Sequence, residues 1–161
     1  MLCILLHKEF NHWFDGNCTS VKNGTYTQSN NYCVEYCFFE DLNNRAVYSS
    51  GFSKFLIEYC TFVSVSNPSD HGGAVYTLRG MFVHNRICSF NCSAPNYGQY
   101  CFSQVYLSEN YDMESSVSRS SGEAIGDSPI HLEFGIDYLT KTNISYFKTN
   151  SICGYVISSG I

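Results

Sequence analysis

Asp70 and His71 adjoin directly ahead of two glycines, and an Asp–His couple is a residue pair that can take up a proton as a general base. The competing reading is a solvated turn beside a glycine bend. The surrounding sequence marks no nucleophile, because no Gly-x-Ser-x-Gly elbow occurs in the chain. His84, Cys88 and Cys92 are spaced four apart, which would put three zinc ligands on one helical face or on one side of a strand. No Cys-x-x-Cys pair accompanies them to complete a site, so Cys88 reads as an interior ladder residue and Cys92 as a corner residue. Cys33 and Cys37 read the same way. Glu109, Asp112 and Glu114 gather in a polar stretch, while Asp127 and Glu133 stand apart. A glycosidase needs two carboxylates at a fixed separation across a cleft, and a calcium-dependent lyase needs a cluster of oxygen ligands. No Asp-x-Asp pattern supplies either on a repeating strand. These residues therefore specify no catalytic group, no metal and no cofactor. The Gly72–Gly73 pair lacks the spacing of a phosphate-binding loop.

Composition says which elements must carry such residues. The chain has 161 residues, is 44% hydrophobic and only 14% charged, and holds 13 Tyr and 12 Phe against a single Trp. Tyr, Phe, Val and Ile favour strands, and Asn, Ser and Gly favour turns, so the expectation is all-β. With a net charge of −5 and no Lys/Arg cluster, the chain has no basic stripe to neutralise phosphates, which argues against nucleic acid as a partner. No run approaches 18 consecutive apolar residues, so no membrane-spanning helix is expected. The opening MLCILLHKEF has a short apolar run with no basic region before it and no small-residue cleavage site after it, and it makes a poor secretory signal. Nine cysteines are an odd number, so at least one thiol stays free or pairs outside the chain.

The chain repeats itself. Cys-x-Phe occurs at Cys37/Phe39, Cys60/Phe62 and Cys88/Phe90, each followed by a polar stretch and then by Ala46-Val47-Tyr48, Ala74-Val75-Tyr76 or Tyr100-Cys101-Phe102. Residues i and i+2 of a strand share a face. Stacked in register, the three pairs would form an internal Cys ladder beside a Phe ladder. Ile144-Ser145-Tyr146 lies 144 − 88 = 56 residues on, two repeats of 28, with a weak coil near Ser116-Val117-Ser118 between. One unit reads as strand, polar turn, strand, turn, and units that cannot bury their own apolar face must stack into a β-solenoid. Gly72 and Gly73 sit where a longer loop must bend sharply back into the second strand. The expected organisation is one β-helix segment over 1–161: an irregular region or first coil over 1–31, the best-defined coils over 32–107, a polar loop excursion over 108–129 and the last coils over 130–161. About four to five coils result. The pattern stops mid-strand at its end, as a fragment of a longer array would.

His71-Gly72-Gly73-Ala74-Val75-Tyr76, Phe82-Val83-His84-Asn85, Ile87-Cys88-Ser89-Phe90-Asn91-Cys92-Ser93 and Thr142-Asn143-Ile144-Ser145 resemble the motifs of right-handed parallel β-helix repeat proteins of trichomonad-type protists. They are loosely similar to the repeats of chlamydial polymorphic membrane proteins. The resemblance covers roughly residues 32 to 157. It implies a right-handed, pectin-lyase-like β-helix and a location at the cell surface or outside the cell. The function read from both lines is a non-enzymatic display protein whose loops, Ser64–His71 and Leu107–Pro129, contact an unidentified protein or glycan. A polysaccharide lyase or glycosidase on the same fold, and an intracellular structural protein with reduced thiols, are the alternatives. Asn17, Asn23, Asn91 and Asn143 head Asn-x-Ser/Thr sequons and are candidate N-glycosylation acceptors, although about three such sequons arise by chance in this composition.

Overall fold

The computed structural model describes residues 19–21, 26–28, 31–51, 54–106, 109–120, 126–149 and 155–158. They form strands and turns only, and among them no helix is long and apolar enough to cross a membrane. The first sheet holds β1 (Thr19–Val21), β3 (Tyr32–Glu35), β6 (Lys54–Glu58), β9 (Met81–Asn85), β12 (Glu109–Met113) and β15 (Ile136–Thr140). The second holds β4 (Phe38–Glu40), β7 (Thr61–Val63), β10 (Cys88–Phe90), β13 (Ser116–Ser118) and β16 (Asn143–Ser145). The third holds β2 (Tyr26–Gln28), β5 (Val47–Ser50), β8 (Val75–Leu78), β11 (Cys101–Gln104), β14 (Ile130–Glu133) and β17 (Tyr155–Ser158). Neighbours within a sheet are parallel, and each comes from the next turn of the chain. The fold is a β-solenoid, and β3 to β17 make five successive triplets.

Three strands per coil, rather than the two expected, follow from two backbone bends around the second sheet. Tyr36, Tyr59, Arg86, Glu114 and Lys141 precede its strands with φ between 50° and 56°. Asp41, Ser64, Asn91, Arg119 and Tyr146 follow them with φ between 49° and 56°. A left-handed conformation costs a side-chain-bearing residue roughly 1–2 kcal/mol. Here the bend residue's own N–H donates to a carbonyl of the next coil: Tyr59 to Asn85 at 3.1 Å, Arg86 to Met113 at 2.9 Å and Ser64 to Phe90 at 2.9 Å. The stack therefore offsets the strain with a hydrogen bond at the same residue.

The core lies inside the three sheets. Tyr32, Val34, Phe55, Ile57 and Phe82 enter it from the first sheet, and Val47, Val75, Cys101 and Ile130 from the third. On the second sheet Phe39 and Phe62 are buried and stack with centroids 5.0 Å apart, while Cys37 and Cys60 are buried just ahead of their strands. Full burial of one such aromatic contributes about 1.5–3 kcal/mol. Further along the axis the filling turns polar. Thr77 Oγ1 donates to Ser103 Oγ at 2.8 Å, Ser103 Oγ donates to Asn110 Oδ1 at 2.9 Å, and Asn110 Nδ2 donates to Asp137 Oδ1 at 2.7 Å.

The third Cys-x-Phe pair does not continue the ladder. Cys88 is the register partner of Thr61, and Phe90 of Val63, which puts both on the outer face. Cys88 is exposed and Phe90 is 37% exposed. Ile87 and Ser89 take the inward places, at 2% and 0% exposure. The cause is a coil length of 82 − 55 = 27 residues instead of the 28 read from the motif. A slip of one residue reverses every side chain of a strand, and this register buries the larger, wholly apolar Ile87. Ile144 is likewise displaced: through Val117 and Ser89 it lines up with Phe62, not with a cysteine. Within 108–129, read as a loop excursion with one weak coil near Ser116–Ser118, that strand is present and Glu109–Met113 is a second one, both in register with their neighbours.

Candidate functional site

The outer face of the third sheet and the loops that close over it form the densest gathering of aromatic and titratable side chains among the described residues. Strand alternation puts Tyr48, Tyr76, Phe102 and His131 in one outward column, because they are register partners on β5, β8, β11 and β14. Their rings stack at centroid distances of 5.4, 5.2 and 5.4 Å. Arg45 lies at the start of the column with its guanidinium 4.4 Å from the Tyr76 ring centroid. It donates to the His71 carbonyl oxygen at 2.7 and 3.0 Å and to Asp70 Oδ2 at 3.3 Å.

The loop ending in Asp70-His71-Gly72-Gly73 lies over this column. Gly72 has φ +65°, and its N–H donates to the Tyr97 carbonyl at 2.9 Å. At Gly73 a Cβ would collide with the carbonyl oxygens of Ser93 and Gln99 in the next coil. The glycine pair thus serves one left-handed bend and one close approach between coils. The His71 ring stacks on Tyr97 and Phe102 at 4.9 and 4.8 Å, and its Nε2 is 3.4 Å from Asp70 Oδ1. Burial pushes the Asp70 carboxyl up, but the His71 backbone hydrogen bond, the His71 ring and Arg45 outweigh it and hold the group below the ordinary carboxylate range. Under the loops, His131 Nε2 meets Glu133 Oε1 at 3.1 Å, and Gln104 Nε2 donates to Glu133 Oε2 at 2.6 Å. Burial lowers the His131 value, and Glu133 opposes that shift.

The other sequence candidates are dispersed. His84 is fully enclosed in the interior, edge-on to Phe82 at 3.8 Å, and burial holds it well below an ordinary imidazole. Cys88 faces outward and Cys92 is buried, so the His84, Cys88 and Cys92 series does not converge. Among the described residues no three His, Cys, Asp or Glu side chains are grouped to hold a metal ion. Glu109 accepts from the Tyr111 hydroxyl at 2.9 Å, Asp112 is buried in the interior, and Glu114 pairs with Arg86 at 2.8 Å and Lys141 at 3.2 Å. These three carboxylates thus occupy an outer face, the interior and a corner.

Cys33 is disulfide-bonded, and Cys37, Cys60, Cys88, Cys92 and Cys101 are thiols outside any disulfide. Burial raises Cys60 to about 12 and Cys92 to about 11. Asn91 is exposed at a left-handed bend and donates to Ser64 Oγ at 3.1 Å, and Asn143 is exposed at the start of β16. Asn17 and Asn23 lie outside the described residues.

Sequence reasoning found Asp70, His71 and the glycines, set Glu133 apart as an isolated carboxylate, and missed Arg45 and His131. Their proximity depends on coil register, and the periodic triplets Ala46-Val47-Tyr48, Ala74-Val75-Tyr76 and Tyr100-Cys101-Phe102 were the one signal that could have extended the column to His131. No family model, curated protein or solved structure matches the chain.

Proposed function

We propose that the chain is a non-enzymatic display solenoid whose contact surface is the loop edge over the third sheet. The observation that carries this reading is that the loops are stacked rather than free. Ser66 bridges to Ser93, Asn67 N–H donates to the Ser93 carbonyl at 3.0 Å, and Gln99 Nε2 donates to the carbonyls of Gly126 and Lys148 at 3.1 and 2.6 Å. A surface held this way presents Asp70, Tyr97 and the Tyr48–Tyr76 rings with little ordering left to do on binding. Mixed aromatic and charged side chains suit a protein or glycan ligand. The family resemblance adds a surface or extracellular location to the proposal.

Two experiments test it. Antibody labelling of intact source cells is expected, and labelling only after permeabilisation would remove the surface role. Incubating the purified chain with pectic and other acidic polysaccharides is expected to give neither new reducing ends nor unsaturated products. Turnover that Glu133→Gln abolishes would replace display with catalysis at this edge.

A further inference from the structure

His71 makes two contacts that depend oppositely on its charge. Its Nδ1 accepts the Tyr97 backbone N–H at 3.2 Å. An amide N–H can only donate, so Nδ1 is unprotonated in this arrangement and the ring proton sits on Nε2, facing Asp70 Oδ1 at 3.4 Å. Adding a proton to Nδ1 sets two donors against each other and breaks the Tyr97 contact. The same proton turns the Asp70 contact into a full ion pair.

We propose that His71 is a proton-operated latch on the Tyr97 amide. The neutral ring accepts the Tyr97 N–H, and the protonated ring turns to Asp70 and releases that N–H to solvent. The Tyr97 loop stays tied beside it through Gly72 N–H to the Tyr97 carbonyl, Gly73 N–H to the Gly98 carbonyl at 3.1 Å and Asp127 N–H to the Asn96 carbonyl at 2.8 Å, so the latch is local and the coil stack is untouched. Close by, His131, 5% exposed, lies against the Tyr97 ring at 4.6 Å, and Phe102, 3% exposed, lies against the His71 ring at 4.8 Å. The charged groups that face the ring are Asp70 and Arg45, the latter bonded to the His71 carbonyl and to Asp70. His131 on β14 stacks with the same two rings, with Glu133 at its Nε2 and Asp127 acting on it from the adjoining loop. Burial lowers the His131 value, and Glu133 and Asp127 oppose that shift.

The test is hydrogen exchange at the Tyr97 amide in the full chain at about pH 7.5 and about pH 5.5, corrected for intrinsic exchange and referenced to the β6–β9 ladder. The wild type is expected to lose about fivefold in protection at the lower pH, the scale of one net hydrogen bond. His71→Asn offers an oxygen near the Nδ1 position but does not titrate, and its Tyr97 protection is expected to be the same at both pH values. Equal losses in both proteins, or none in the wild type, would overturn the latch. The wild type alone supplies a second check should the variant fail to fold. Its His71 nitrogen shifts must show the Nε2–H tautomer at the higher pH, and must titrate with Tyr97 protection. An Nδ1–H tautomer would overturn the proposal.

Discussion

Truncating Phe62 and Phe90 to alanine tests the register of the solenoid directly, because both follow a cysteine by two residues and only the packing distinguishes them. Phe62 is 0% exposed, stacked on Phe39 at 5.0 Å and tilted against Tyr100 at 5.5 Å. Removing its ring leaves a hole bounded by stacked coils that cannot close without moving a rung, so Phe62→Ala is expected to cost about 3–5 kcal/mol. Phe90 is 37% exposed, with the Arg119 guanidinium 5.4 Å from its ring centroid. Phe90→Ala forfeits that contact and some half-exposed area, and is expected to cost less than about 1 kcal/mol. With a urea slope of about 2 kcal/mol per molar, the first variant should move the denaturation midpoint by roughly 2 M and the second by under about 0.5 M. Circular dichroism of the strand signal follows both. Equal shifts would refute the register, and with it the inward assignment of Ile87 and Ser89.

Three further outcomes follow from the burial of titratable groups and from the coil contacts. Among the described thiols, an aromatic disulfide reagent at neutral pH should label Cys88 in the native protein and spare Cys60 and Cys92, whose thiols are raised to about 12 and about 11; peptide mapping that finds those two labelled first would contradict the fold. His84 has a folded pKa well below its unfolded one, so the unfolded chain binds more protons below about pH 6.5 and stability falls as pH drops from there; His84→Leu should flatten that slope in urea midpoints taken between about pH 7.5 and 5. Gly73→Ala should destabilise by more than about 3 kcal/mol, because the new methyl meets backbone carbonyls that are fixed in the stack, whereas an unchanged melting temperature would mean that the loops do not pack coil on coil.

Much of the architecture was written in residue types. The Phe39–Phe62 stack, the Val47–Val75–Cys101 column and the bend at Gly72 all follow from strand alternation and from glycine's freedom. The third strand of each coil was not legible, because its signature is a pair of left-handed bends at residues such as Tyr59, Arg86 and Lys141. Nothing in their side chains favours that conformation; the hydrogen bond from the adjoining coil does. The Cys88 assignment failed for a related reason. Cys-x-Phe is satisfied equally by an inward and an outward strand, and only the count of residues between bends decides. The site was half legible. Asp70 and His71 adjoin in sequence, but Arg45 comes from an earlier turn and His131 and Glu133 from β14 of a later one, and they gather only through the stacking of coils.

The passage from the first sheet to the second takes six residues in every coil, as 38 − 32, 61 − 55, 88 − 82, 116 − 110 and 143 − 137 show. The passage from the second sheet to the third takes 47 − 38 = 9, then 75 − 61 = 14, 101 − 88 = 13 and 130 − 116 = 14. One corner is therefore a fixed gauge, and changes in chain length are absorbed elsewhere around the circumference. Residues can be gained or lost at the loop corner without disturbing the rungs above and below, whereas a single insertion between Tyr59 and Ser64 would turn a whole rung inside out. A gene encoding such a chain can diversify one edge freely while the opposite corner keeps time, and whole turns can be duplicated or excised at that corner with their neighbours still in step.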